Sequence, residues 1–212
     1  MAVGANQTTG QVVLYNVPWS TYETLLADLD LPGTRLTYDQ GSLEIMSPSE
    51  EHERFKGLIG RIIETLTEEL GIAIRAAGST TWKRKALQRG LEPDECYYVA
   101  NESRVRGQQT IDLAVDPPPD LVIEVEVTSS AIDKMPIYAT LGVSEVWRYD
   151  GKTFFIDVLQ ADGNYARVSQ SAAFPFLPMA ELEAFLDRRN TTDDTSWIRS
   201  FRKWVRETLG EK

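Results

Sequence analysis

A chain of 212 residues, 42% hydrophobic and 25% charged, has the composition of an ordinary globular protein and the length of one domain. Its 22 basic residues face 32 acidic ones, a net charge of −10, which argues against a histone-like or coating nucleic-acid binder acting through a broadly basic surface. A nuclease whose cleft carboxylates are neutralised by metal ions remains compatible with that balance.

No apolar run approaches the ~20 residues that span a bilayer. Met1 to Gly10 is polar, without the layout of a signal peptide. Cys96 is the only cysteine and cannot pair within the chain; a cytoplasmic protein with no membrane association is expected. His52 is the only histidine, so zinc sites built from several histidines or cysteines, and iron–sulfur clusters, are excluded. Neither a P-loop nor a G-x-S-x-G elbow occurs. Carboxylates are what remain in abundance, and they suit hard cations such as Mg²⁺.

In chain order, residues 11–15 read as a strand and 22–30 as a helix capped by Ser20 or Thr21, with a turn at Leu31-Pro32-Gly33. Residues 35–38 and 42–46 form a predicted hairpin around Asp39-Gln40-Gly41. Phe55, Leu58, Ile59, Ile62, Ile63 and Leu66 keep helical spacing, which predicts a helix over 50–70 ended by Gly71. Strands are expected at 72–76, 79–83 and 95–99, then a polar loop at 100–107. Residues 120–127 are the most strand-like segment, and Ser129 or Ser130 is the expected cap of a helix reaching Leu141. A meander over 143–149, 153–160 and 165–169 precedes helices at 179–189 and 195–209. The expected fold is mixed α/β, a central sheet flanked by helices. It forms a single domain over 1–212, with residues 1–10 flexible and 178–212 a helical appendage.

The chemistry concentrates in 120–127. Side chains alternate across a strand, which places Asp120, Val122, Glu124 and Glu126 on one face. Neighbouring carboxylates repel, burial raises the cost of ionising them, and a divalent cation relieves both. The plainer reading is a half-exposed antiparallel strand with a solvated acidic face. Pro93-Asp94 heads another predicted strand. It reads either as an ordinary turn or as an aspartate facing Glu124 across a neighbouring strand, where the two would bind Mg²⁺ for phosphodiester hydrolysis.

The stretches Met46-Ser47-Pro48-Ser49-Glu50-Glu51-His52-Glu53, Glu92-Pro93-Asp94, Pro118-Pro119-Asp120-Leu121-Val122-Ile123-Glu124-Val125, Lys134-Met135-Pro136-Ile137-Tyr138 and the run from Leu141 to Asp150 resemble, in order and spacing, the Uma-two family of restriction endonucleases within the PD-(D/E)XK phosphodiesterase superfamily. The resemblance covers residues 17–177. It implies a restriction-endonuclease-like core, with Asp94 as metal-binding aspartate, Glu124 as the (D/E) of the motif and the Val125 backbone carbonyl as a further ligand for Mg²⁺ or Mn²⁺. Glu126 stands where the superfamily has its lysine; it is expected to assist, with Lys134 on the following helix as catalytic cation. The other reading of Lys134 is a surface residue paired with Asp133 or Glu126, leaving Lys83 or Lys85 as alternatives.

His52 reads as a phosphate or ligand contact or as a packed residue at a helix start, with Glu51 or Glu53 able to extend the metal site. Tyr138 reads as packing and Cys96 as a small buried hydrophobe. Trp82-Lys83-Arg84-Lys85 is a candidate DNA contact or the solvated end of a strand. Arg199, Arg202, Lys203 and Arg206 share a helix with the apolar stripe Trp197, Phe201, Trp204 and Val205, which suits docking, dimer contact or DNA.

The expected function is a Mg²⁺-dependent DNA endonuclease, with a symmetric homodimer expected because duplex cleavage needs two active sites. The rivals are an inactive nuclease-fold protein that binds DNA or a partner, and a hydrolase using its carboxylates as acid and base.

Overall fold

Two sheets carry the chain. The computed structural model describes residues 10–28, 33–127 and 130–210; most of the segment expected to be flexible, most of the Leu31-Pro32-Gly33 turn and the candidate cap Ser129 lie outside them. Strand β1 (Gln11–Leu14) leads to helix α1 (Trp19–Asp28) and the hairpin β2 (Arg35–Asp39) and β3 (Ser42–Met46). The long helix α2 (Glu50–Leu70) follows, then β4 (Arg75–Ala76), β5 (Trp82–Arg84), β6 (Arg89–Leu91) and β7 (Glu95–Tyr98). After the single-turn helix α3 (Glu102–Val105) come β8 (Leu121–Val125), α4 (Met135–Leu141), β9 (Glu145–Tyr149), β10 (Phe154–Leu159) and β11 (Tyr165–Val168). Helices α5 (Met179–Asp187) and α6 (Asp194–Thr208) end the described chain.

One sheet has the order β1-β3-β2-β6-β5 and the other β11-β10-β9-β8-β7-β4. The hairpin turn is Gln40-Gly41, with φ of 47° and 99°. Positive φ at both central residues is the twist that joins two antiparallel strands tightly. In the second sheet β8 pairs antiparallel with β7 and parallel with β9. The parallel step needs a crossover, and α4 lies within it.

Burial on both sides of β8 corrects the expectation of a half-exposed strand. All five of its residues are buried. Leu121, Ile123 and Val125 join a core with the apolar stripe of α2 and with α5 and α6, while Val122 packs with Ile137, Tyr138 and Leu141 of α4. The face carrying Glu124 is therefore covered by α4 rather than by water.

The helix α2 has the expected bounds because its ends are fixed locally. The Ser49 side chain accepts the His52 N–H at 3.1 Å, three acidic residues occupy its first turn, and Gly71 at φ 64° closes it. Trp197, Ile198, Phe201 and Val205 of α6 are buried, and Arg202 and Arg206 both bind Glu69 of α2. The C-terminal basic and aromatic pattern thus docks α6 onto its own chain.

Several local expectations are corrected, the first being the helix at 22–30, which starts at Trp19 and so takes its expected caps Ser20 and Thr21 into its first turn. Residues 72–76 yield only Arg75–Ala76, and 79–83 shift to Trp82–Arg84. The loop at 100–107 holds one helical turn. An unexpected strand, β6, carries Gly90 against the Tyr22 hydroxyl, where a Cβ would lie only 2.5 Å away. Helix α4 begins at Met135, not near residue 130, because Pro136 suits a first helical turn and the Ala131 N–H is bonded to Glu44.

Candidate functional site

Asp94 stands immediately before β7. The register that opposes Glu95 to Ile123 carries on to bring Asp94 across from Glu124. The Asp94 carboxylate is fully buried. Its Oδ2 accepts the Val125 N–H at 2.6 Å, and its Oδ1 meets His52 Nε2 at 2.8 Å and the Arg35 guanidinium. Arg35 also binds Glu53 at 2.8 Å, tying the hairpin sheet and the start of α2 to the Asp94 carboxylate.

Glu124 is held by the crossover. Lys134 Nζ donates to Glu124 Oε2 at 2.7 Å, and the Tyr138 hydroxyl donates to Oε1. Residues four apart meet on one helical face, so Lys134 and Tyr138 grip the two oxygens of one carboxylate. The expected alternatives for Lys134, pairing with Asp133 or Glu126, are replaced by this bond, and Tyr138 does more than pack. Burial, and then the charge of Glu124, push the Tyr138 hydroxyl well above its ordinary range, so it remains a donor.

His52 is lowered to about 3, first by burial and then by the cations Arg35, Lys134 and Lys56. A neutral imidazole donates from Nε2 to Asp94, which leaves Nδ1 as the ring's acceptor. That atom is buried without a hydrogen-bond partner among the described residues.

A cavity of about 450 Å³ opens over this centre, lined by Met46, His52, Glu124, Glu126, Lys134 and Arg148 among others. Val125 also lines it, while Asp94, bonded to His52, does not. Glu126 is just past the end of β8, exposed, and paired with Arg148 at 3.2 Å; it lines the same cavity as Glu124. Glu53 is spent on Arg35 and Lys56, and Glu51 is exposed at the surface. The basic run lies elsewhere. Lys83 faces Glu23 at 3.7 Å, Arg84 donates to the Leu113 carbonyl, Lys85 enters a 3-10 turn, and none of the three lines the cavity.

The donors that meet here are carboxylate oxygens, the type that suits a hard cation. Among the described residues no three His, Cys, Asp or Glu side chains gather into a cage. Mg²⁺ asks for less, one or two carboxylates with the remaining positions taken by water and phosphate oxygens. A carboxylate offers about four lone-pair positions. Asp94 has three contacts and Glu124 two, so lone-pair positions remain on both, and of the two Glu124 is the one that lines the cavity.

Three residues at the centre escape sequence reasoning as functional groups. Tyr138 had a signal, its spacing of four from Lys134. Arg35 had none, because its contacts with Asp94 and Glu53 join distant segments. The third is Glu44, whose neutral-looking strand position hides a buried carboxylate.

Comparison with known proteins places the chain in a family. The sequence matches the Uma2 family, described as "Putative restriction endonuclease", over residues 19–190. No curated protein matches it. Among solved structures, the crystal structure of a putative nuclease belonging to DUF820 from Anabaena variabilis is similar at 17% identity and a TM-score of 0.47, covering 84% of this chain and 96% of that one.

Proposed function

The chain belongs to the Uma2 family, and from that membership and the Asp94–Glu124 centre we propose that it is a divalent-cation-dependent nuclease that hydrolyses phosphodiester bonds in DNA. The observation that carries the reading is a buried glutamate, Glu124, gripped by a lysine on a cavity wall with an aspartate facing it across the adjoining strand. Asp94 and Glu124 would hold Mg²⁺ or Mn²⁺, with the Val125 carbonyl as a further ligand. Bound there, such an ion supplies a Lewis acid and lowers the pKa of water.

The chain's own groups do the rest. Lys134 presents a positive charge beside Glu124, where it offsets charge developing on the phosphate and orients a water for in-line attack. His52 and Arg35 fix the Asp94 carboxylate, and Tyr138 fixes that of Glu124. Arg148 and Glu126 form the outer wall, Arg148 being the group there able to meet a neighbouring phosphate. Cutting both strands of a duplex requires two such centres, which a homodimer would supply.

The test is calorimetric titration of Mn²⁺ and Mg²⁺ into wild type and Glu124→Ala, with plasmid nicking measured alongside. The expected result is binding and nicking in wild type and loss of both in the variant. Absence of binding in wild type would overturn the reading. Binding without nicking would favour the inactive nuclease-fold alternative, to which the engagement of Asp94 by Arg35 already lends some physical basis.

A further inference from the structure

Glu44 is buried to 1% exposure, yet no ion pair reaches it among the described residues. It lies on β3, on the same side of the strand as Met46, a wall residue of the cavity. Its Oε1 accepts the Ala131 N–H at 2.6 Å and the Gln11 side-chain amide, and its Oε2 meets the Ser130 hydroxyl. A buried carboxylate is tolerated only when donors replace the water it loses, and two of these three donors come from one short segment. That segment, residues 130–134, forms one side of the cavity and ends at Lys134.

We infer that Glu44 is a positioning residue, which anchors residues 130–131 to the hairpin sheet and thereby sets the Lys134 ammonium on Glu124. Only Ile132 and Asp133 separate the anchor from Lys134, and Pro136 fixes the helix start just beyond. Without the anchor, Lys134 is held only from the α4 side, where the Ile137 and Tyr138 N–H groups donate to its carbonyl, and the segment before it is free to shift. The consequence for catalysis rests on the nuclease reading; the placement of Lys134 does not.

The substitution series separates positioning from general stability. In Glu44→Gln the amide oxygen still accepts from Ala131. Its nitrogen donates to Ser130 Oγ, whose hydrogen turns to the Ile132 carbonyl 2.8 Å away. Glu44→Ala loses the whole anchor. The first readout is acetylation of Lys134 by an amine-reactive ester, mapped by mass spectrometry against the exposed Lys83 and with melting curves to establish folding. Lys134 labelling is expected to rise about tenfold in Glu44→Ala, as expected of a side chain released from a buried pair, and to stay near wild type in Glu44→Gln.

In plasmid cleavage, Glu44→Ala should lower kcat by roughly tenfold or more with KM little changed, as misplacement of a reacting group does. It should add nothing further in a Lys134→Ala background, and Glu44→Gln should restore most of the rate. If Glu44→Ala does not fold, Ser130→Ala removes one anchor donor from a half-buried position and should show a smaller rise in the same labelling. Unchanged Lys134 labelling in a folded variant, or losses that add to those of Lys134→Ala, would overturn the inference. A wild-type protein that cuts no DNA would instead defeat the nuclease reading, and the labelling would still decide the role of Glu44.

Discussion

Glu124 illustrates how a carboxyl side chain is accommodated inside a protein. It is 5% exposed, and a carboxylate so placed needs a partner at each oxygen, which Lys134 and Tyr138 supply. Tyr138→Phe removes one donor while keeping the ring in its packed site, leaving one Glu124 oxygen without that partner. The expected cost is about 1–3 kcal/mol of stability, read from urea unfolding with an unchanged slope, together with weaker Mn²⁺ binding. A Phe variant as stable as wild type would mean the hydroxyl contributes nothing to Glu124. Strand alternation and a Pro-Asp start are local signals that made Glu124 and Asp94 legible as candidates, whereas Lys134 was legible only through the family resemblance. Arg35, Glu44 and Tyr138 act across 59, 87 and 14 positions, and only Tyr138 leaves a periodic trace.

Elements whose ends are set by their own residues were readable. The helix α2 has a Ser49 cap, an unbroken apolar stripe and Gly71, and the hairpin has Gln40-Gly41. Short strands such as β6 were not, because they exist only where a neighbour offers hydrogen bonds, and the start of α4 was displaced by the tertiary bond from Ala131 to Glu44.

The packing of α6 on α2 leads to a pH prediction. The Arg206 hydrogen bond, aided by the charges of Arg206 and Arg202, holds the Glu69 carboxyl below its ordinary range. A carboxyl lowered in the folded state contributes stability that is present above its unfolded value, about 4.3, and is lost as pH falls through the lowered folded value. Glu69→Gln should therefore lower the melting temperature at pH 7 and make its decline between pH 5 and pH 3, roughly the window in which carboxylates protonate, shallower than in wild type. Parallel acid limbs in the two proteins would show that the clamp is fully screened by solvent.

A net charge of −10 shapes how such a molecule can approach a polyanion. Many of its cations are committed internally: Arg89 to Asp39, Arg148 to Glu126 and Asp157, Arg167 to Asp157, and Arg202 and Arg206 to Glu69. Lys83 and Arg84, the centre of the basic run, face Glu23 and a backbone carbonyl. Few positive charges are left to displace counterions from DNA, and the two cations that line the cavity, Lys134 and Arg148, reach a phosphate only by sharing themselves with their carboxylate partners. Each phosphate neutralised contributes a slope of about −0.9 to log K against log salt concentration. Two or three such contacts predict a slope of roughly −2 to −3, measurable by fluorescence anisotropy with a labelled duplex in the presence of divalent cation. Removing the cation with a chelator should abolish most of the affinity, because the acidic cavity then repels the backbone, and Lys85→Ala should leave it nearly unchanged. A slope of about −6 or steeper, persisting under chelation, would show instead that an extended basic surface, not the Asp94–Glu124 centre, holds the DNA.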